Sequence, residues 1–210
     1  IRCLQYYDYK CGGFYLEIGI DSCIKNNNTY LLDEVYGWRG VAVDPNFQDG
    51  HKRTCAIYKV ALASESGTAQ FAMAGPLSGL AEFAQSSVHN AMWHEALAAC
   101  QTVQVETRTP RELLEASNCP KHIDYLSLDV EGSEMDILEA FPFEDYTIGF
   151  ATIETNNDKA KEKEIRELML SHGYTFLGHA AVDDYFCFGE PRRRTFGPAL
   201  DYSGEANFVL

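Results

Sequence analysis

The chain has 210 residues, enough for one α/β domain with a sizeable core and tight for two. Its hydrophobic content of 46% and charged content of 23% are those of a globular protein, and its net charge of −14 would repel a phosphate backbone, which argues against nucleic acid as a partner. No apolar run approaches the ~20 residues that span a bilayer, so no membrane segment is expected.

Seven cysteines, at positions 3, 11, 23, 55, 100, 119 and 187, contain no C-x-x-C pair, which argues against a zinc ribbon or a thioredoxin-like site. The expected reading is scattered buried thiols, with one or two disulfides of a secretory compartment as the alternative. No secretory leader is visible, and a start at Ile1 carries no information on one. The cytoplasm is the expected compartment and the secretory-pathway lumen the alternative. Nothing in the pattern specifies an oligomeric state. The basic run Arg192-Arg193-Arg194 reads as a solvated turn.

In chain order, residues 14–20 read as a buried strand ending at a glycine turn, and 27–37 as a helix stopped by Gly37. Residues 41–43 form a short strand closed by Asp44-Pro45-Asn46. Residues 56–63 read as one further strand, and Ser64-Glu65-Ser66-Gly67 as a hairpin-type turn into 68–73. Residues 75–100, rich in Ala, Ser and Gly, read as a substrate-covering insertion with a helix over 90–99. Residues 102–108 alternate like an edge strand. Thr109-Pro110-Arg111-Glu112 is a capping box with proline at the first helical position. A strand over 123–128, a helix over 133–141, a strand over 148–155 and an amphipathic helix over 158–172 follow, the last ended by Gly173. Residues 174–179 and 185–189 are the final strands, and 190–210 is a tail. The alternation predicts a single domain over 1–210: a Rossmann-like three-layer sandwich with a mostly parallel seven-stranded sheet and an antiparallel last strand.

Ligands of such sheets sit at the carboxyl ends of the strands. Three features fall there: Glu17-Ile18-Gly19-Ile20-Asp21-Ser22, then Asp44, 25 residues after Gly19, and Asp129-Val130-Glu131-Gly132. An acid ending the second strand can accept hydrogen bonds from both ribose hydroxyls of an adenosine. A dinucleotide would need G-x-G-x-x-G for its pyrophosphate. The loop here has one glycine, followed by Asp21, and a carboxylate would repel a pyrophosphate. S-adenosylmethionine carries an ammonium and a sulfonium, and an acid-lined loop suits both.

The string from Gly12 to Asp21, Asn28-Thr29-Tyr30-Leu31-Leu32, Gly37-Trp38-Arg39-Gly40 with Asp44-Pro45, the string from Ile123 to Glu134 and Asp183-Asp184 together resemble the FkbM-type methyltransferase family. The resemblance spans about residues 12–190 and departs from the pattern at Cys23, where the family usually carries glycine. It implies S-adenosylmethionine as cofactor and a hydroxyl acceptor on a sugar, glycan or polyketide-like small molecule. It also implies cofactor contacts at Glu17, Gly19, Asp21, Asn28, Thr29 and Asp44, adenine contacts from Leu62 to Ser64, and further contacts at Asp129, Val130 and Glu131.

The donor is already activated, so the protein must align the acceptor oxygen and remove its proton. Asp129, Glu131 and Glu154 lie at the strand ends where a base is expected, with Glu131 and Glu154 the candidate bases, and His94 and His89 can reach over from the covering segment. Their ordinary structural readings are helix or backbone bonding for the acids and surface exposure for the histidines. Trp93 and Trp38 read as packing. A divalent metal is a secondary alternative, with Asp129, Glu154 and Asn156 as hard oxygen ligands. The competing functions are a catalytically inactive Rossmann-like binding domain, a nicotinamide-dependent oxidoreductase and a metal hydrolase.

Overall fold

The computed structural model describes residues 2–24, 27–47, 53–84 and 100–192. The expected helix over 90–99, with His89, Trp93 and His94, lies outside these residues, as do Arg193 and Arg194.

Its frame is a seven-stranded sheet. The strands are β1 (Phe14–Ile18), β2 (Arg39–Val43), β3 (Ala56–Tyr58), β8 (His122–Leu128), β9 (Thr147–Glu154), β10 (Tyr174–Ala180) and β11 (Asp183–Phe188), in the order β10-β11-β9-β8-β1-β2-β3. Strands β3, β2, β1, β8 and β9 run parallel to one another, and β11 runs antiparallel to both β9 and β10. The expected mostly parallel sheet with an antiparallel last strand is what the chain forms.

Both faces of this sheet are covered, because its strands are apolar on both sides. On one face α4 (Pro110–Ala116), α5 (Glu134–Glu139) and α6 (Lys159–Ser171) bury Leu113, Leu114, Ile137, Leu138, Ile165 and Met169 against Leu16, Val41, Leu126 and Ala151. On the other, α1 (Arg2–Tyr6) and α2 (Tyr30–Glu34) bury Leu4, Tyr6 and Leu32 against Tyr15, Ala42, Tyr125 and Phe150. Trp38 packs over Gly13 on this face and its indole donates to the Lys10 carbonyl at 2.8 Å, a structural role. The Thr109 capping box forms as expected, and Asp158 caps α6 through the amides of Ala160 and Lys161. The seven cysteines are all free thiols, five of them buried. No described helix is long and apolar enough to cross a membrane.

The sequence reading needs correction around residues 56–108. The expected single strand over 56–63 splits: β3 joins the main sheet, whereas β4 (Ala61–Leu62) joins a second sheet of order β4-β7-β5-β6, with β5 (Gly67–Met73), β6 (Gly79–Leu80) and β7 (Gln101–Arg108). An apolar run carries no mark of which partner each half will take. The turn at 64–67 is therefore not a hairpin between paired strands, because β4 and β5 lie on opposite sides of β7. Strand β7 is not a simple edge either. Thr107 is paired on both sides, Arg108 by β4 alone and residues 101–106 by β5 alone. A short helix, α3 (Ala81–Ala84), follows β6. Helix α2 is shorter than the expected 27–37, since residues 27–29 are held by side-chain bonds instead.

Candidate functional site

The register of the main sheet aligns four chain segments. Ile18 is level with Val43 on one side and Leu128 on the other, and Leu128 is level with Ile153. The next residues, Gly19, Asp44, Asp129 and Glu154, therefore leave the sheet in one row at its carboxyl edge. Backbone bonds continue the row: the Gly19 amide donates to the Val43 carbonyl at 2.9 Å and the Asp129 amide to the Ile18 carbonyl at 3.0 Å.

Above this row lies a cavity of about 350 Å³. Its polar wall carries Asp21, Asn28, Asp44, Asp129 and Glu131, and its apolar wall Val43, Val60, Leu62, Phe71 and Leu80. The apolar residues come from both sheets, so the second sheet forms part of the cavity wall. Phe71 and Leu80 were not legible as lining residues, because their strand partners were not.

The expected cofactor residues divide into two groups. Gly19, Asp21, Asn28, Asp44, Leu62, Asp129 and Val130 line the cavity. Glu17, Thr29 and Ser64 do not. Glu17 and Thr29 are fully buried beneath it. The Glu17 carboxylate accepts from the Asn28 amide and from the Thr29 hydroxyl, and the Asn28 side-chain amide donates to Ser127 Oγ at 2.9 Å. The Ser64 amide instead donates to Asp136 Oδ2 at 2.7 Å. Cys23, the departure from the family pattern, is buried in the α2-side core rather than along the cavity.

Sequence reasoning missed Arg53. Its guanidinium is buried and donates to Asp33 Oδ2 at 2.7 Å, to Thr29 Oγ1 at 2.7 Å, to Tyr15 Oη and to the Cys23 carbonyl, both at 3.1 Å. One side chain thus ties the two ends of the loop after β1 to α2. An isolated Arg in a loop carries no sequence signal for this role.

Gly19 has φ +92, and a Cβ there would fall 1.6 Å from the Asp129 carbonyl oxygen. The glycine is thus required by the approach of the β8 loop.

Burial raises the carboxyl pKa values around the cavity. Glu17 is pushed up to about 7, against the opposing bonds from Thr29 and Asn28. Asp44 is pushed up to about 6 by burial, opposed by the Asn46 amide that donates to its Oδ1 at 2.7 Å. Asp183 is raised to about 6 by burial and by Asp129. Asp129, Glu131 and Glu154 repel one another in a buried cluster, and all three are raised, first by desolvation. Protonated Glu154 donates to Asp129, which lowers the cost to Asp129 and raises Glu154 further. The Asn156 side-chain amide donates to Glu154 Oε2 at 3.0 Å and lies 3.5 Å from Glu131 Oε2.

A carboxyl whose folded pKa exceeds its unfolded value binds its proton more tightly when folded. The resulting stability is fully present below the unfolded value and is lost as pH rises through the folded one. For Glu17, Asp44 and Asp183 the window runs from their unfolded values of 4.5, 3.8 and 3.8 to about 7, 6 and 6. The protein should therefore melt roughly 5 °C higher near pH 5 than near pH 8. Calorimetry at the two pH values checks this, and a melting temperature that is flat or lower at the acid pH contradicts it.

Asp129, Glu131 and Glu154 each bring a carboxylate oxygen within 4.8 Å of the others, a donor set that could hold a hard divalent cation. The expected set had Asn156 in place of Glu131, but Asn156 turns its amide N–H toward the acids.

Residues 19–176 match the methyltransferase FkbM domain. Among curated proteins and solved structures, no significant match to the chain is found.

Proposed function

Because the chain belongs to the FkbM methyltransferase family, we propose that it is an S-adenosylmethionine-dependent O-methyltransferase acting on a hydroxyl of a sugar, glycan or polyketide-like small molecule. The observation that carries this reading is one cavity whose wall holds Asp44, the apolar side chains of Val43, Leu62, Phe71 and Leu80, and the carboxyl groups of Asp129 and Glu131. Asp44 Oδ2 has no partner among the described residues and suits a ribose hydroxyl. Val43, Leu62, Phe71 and Leu80 suit an adenine ring. Asp21, at the loop after β1, suits a cationic group. The cavity volume of about 350 Å³ is that of a small-ligand site.

When bound, the donor supplies a methyl group already activated on sulfur. The residues of the chain must bring the acceptor oxygen into line and take its proton as the new C–O bond forms and the C–S bond breaks. Glu131 lines the cavity and is assigned as the base. Glu154 holds its proton on Asp129 and is assigned to orienting, not proton abstraction. His94 keeps its proposed role as a second group over the acceptor. Residues 1–210 are read as a single methyltransferase domain with 190–210 as tail. Segment 75–100 is assigned to covering the acceptor, supported by Gly75 and Ser78 in the cavity wall.

Calorimetric titration with S-adenosylhomocysteine, with NAD as control and EDTA present or absent, tests this. S-adenosylhomocysteine should bind, NAD should not, and EDTA should leave the affinity unchanged. Asp44→Ala should weaken binding by about 1–3 kcal/mol through lost buried hydrogen bonds. NAD binding alone would turn the reading to an oxidoreductase. A folded protein that takes neither ligand would point to an inactive binding domain.

A further inference from the structure

The loop between β8 and α5 carries two successive left-handed residues, Glu131 at φ +60 and Gly132 at φ +130. A non-glycine residue stays in that region only where its surroundings hold it. The holder is Glu134, the first residue of α5 and fully buried. Its carboxylate reaches back: the Val130 amide donates to Oε1 at 3.3 Å, and the Gly132 amide donates to both oxygens at 3.2 Å. Lys161, from the first turns of α6, closes on Oε2 at 2.5 Å and is itself only 15% exposed. From the other side β6 presses on the same loop. A Cβ on Gly79 would lie 3.0 Å from the Val130 carbonyl and 3.2 Å from that of Glu131. The amides flanking Glu131 are thus bonded to one buried carboxylate, and that carboxylate is anchored on a different helix.

Val130 and Glu131 line the cavity. We propose that Glu134, locked by Lys161, is a positioning residue: it holds the Val130–Gly132 backbone as a wall of the donor cavity and keeps Glu131 left-handed with its carboxylate at the site. This inference rests on the methyl-donor reading of the cavity. Glu134 touches neither donor nor acceptor and acts through the loop.

The test uses the full chain with Glu134→Ala, Lys161→Met and the double variant Glu134→Gln with Lys161→Met. The double variant keeps an amide oxygen to accept from the loop and leaves no charge without its partner. Two readouts are taken: amide hydrogen exchange at Val130 and Gly132, with Leu126 and Leu128 of β8 as internal controls, and S-adenosylhomocysteine affinity by calorimetry. Glu134→Ala should speed exchange at the two loop amides and weaken the ligand, each by about tenfold, with the β8 amides unchanged. The double variant should recover both to within about threefold of wild type. A merely structural pair would lower the melting temperature and leave the ligand affinity of the folded protein alone, so wild-type affinity in folded Glu134→Ala overturns the proposal. Should Glu134→Ala fail to fold, the double variant decides: intact fold with about tenfold weaker binding overturns it as well. Wild-type protein that does not bind S-adenosylhomocysteine sinks the donor reading instead. The exchange arm then stands alone, and unchanged exchange at Val130 and Gly132 rejects the role of Glu134.

Discussion

Glu131→Gln is expected to lower turnover by about 10²–10⁴-fold, the contribution of a positioned general base, while S-adenosylhomocysteine affinity stays within about threefold of wild type. Glu131 lines the cavity, its backbone is held in a conformation its side chain does not favour, and the neighbouring acids are engaged with each other. Gln preserves size and one acceptor oxygen, so the substitution removes the proton acceptor and little else. The electrostatics add a second signature. Desolvation, with Asp129 and Glu134 adding repulsion, raises the Glu131 carboxyl to about 8. A base must be deprotonated to act, so wild-type turnover should rise with pH and level off above about 8, at about tenfold per pH unit on the rising limb. Release of S-adenosylhomocysteine in the presence of a pool of hydroxylated acceptors measures both. Normal turnover in the Gln variant would remove Glu131 as base and shift the role to His94 or Glu154.

Gly19→Ala should be the most destabilising single substitution at the cavity, by roughly 2–6 kcal/mol from left-handed strain and overpacking together. The added methyl would sit 1.6 Å from the Asp129 oxygen and 2.6 Å from its carbonyl carbon, so β1 and β8 would have to separate at their carboxyl ends. That is a large share of the few kcal/mol by which a domain is stable. Gly37→Ala is the control. Its φ is +63, but nothing lies within 4 Å of the new methyl, so it should cost only about 1–2 kcal/mol. Urea denaturation midpoints distinguish the two. Equal midpoints for Gly19→Ala and wild type would mean that the strand ends yield more easily than their backbone contact implies.

Much of the site was legible because it is written into local pattern. Apolar runs ending at Ile18, Val43, Leu128 and Ile153 mark strands, parallel pairing puts those ends in one row, and Gly19, Asp44, Asp129 and Glu154, which follow them, share a common edge. The alternation of strands and helices likewise determined the three-layer architecture, since a half-buried element must present its apolar face with the period of its own geometry.

Partner choice was decided only in three dimensions. The run over 56–63 divides between two sheets, and the second of these supplies Phe71 and Leu80 to the cavity. Whether an acid near the carboxyl edge faces a ligand or a neighbour was equally hidden. Glu17 turns to Thr29 and Asn28, Glu134 to the loop amides, and Asp44 to the cavity, though all three are carboxylates beside strand ends. Sequence period reports which face of an element is apolar. It carries no record of long-range hydrogen-bond partners such as Arg53 for Thr29 or Lys161 for Glu134, because those arise when segments distant in the chain are desolvated together and each buried polar group must find a partner.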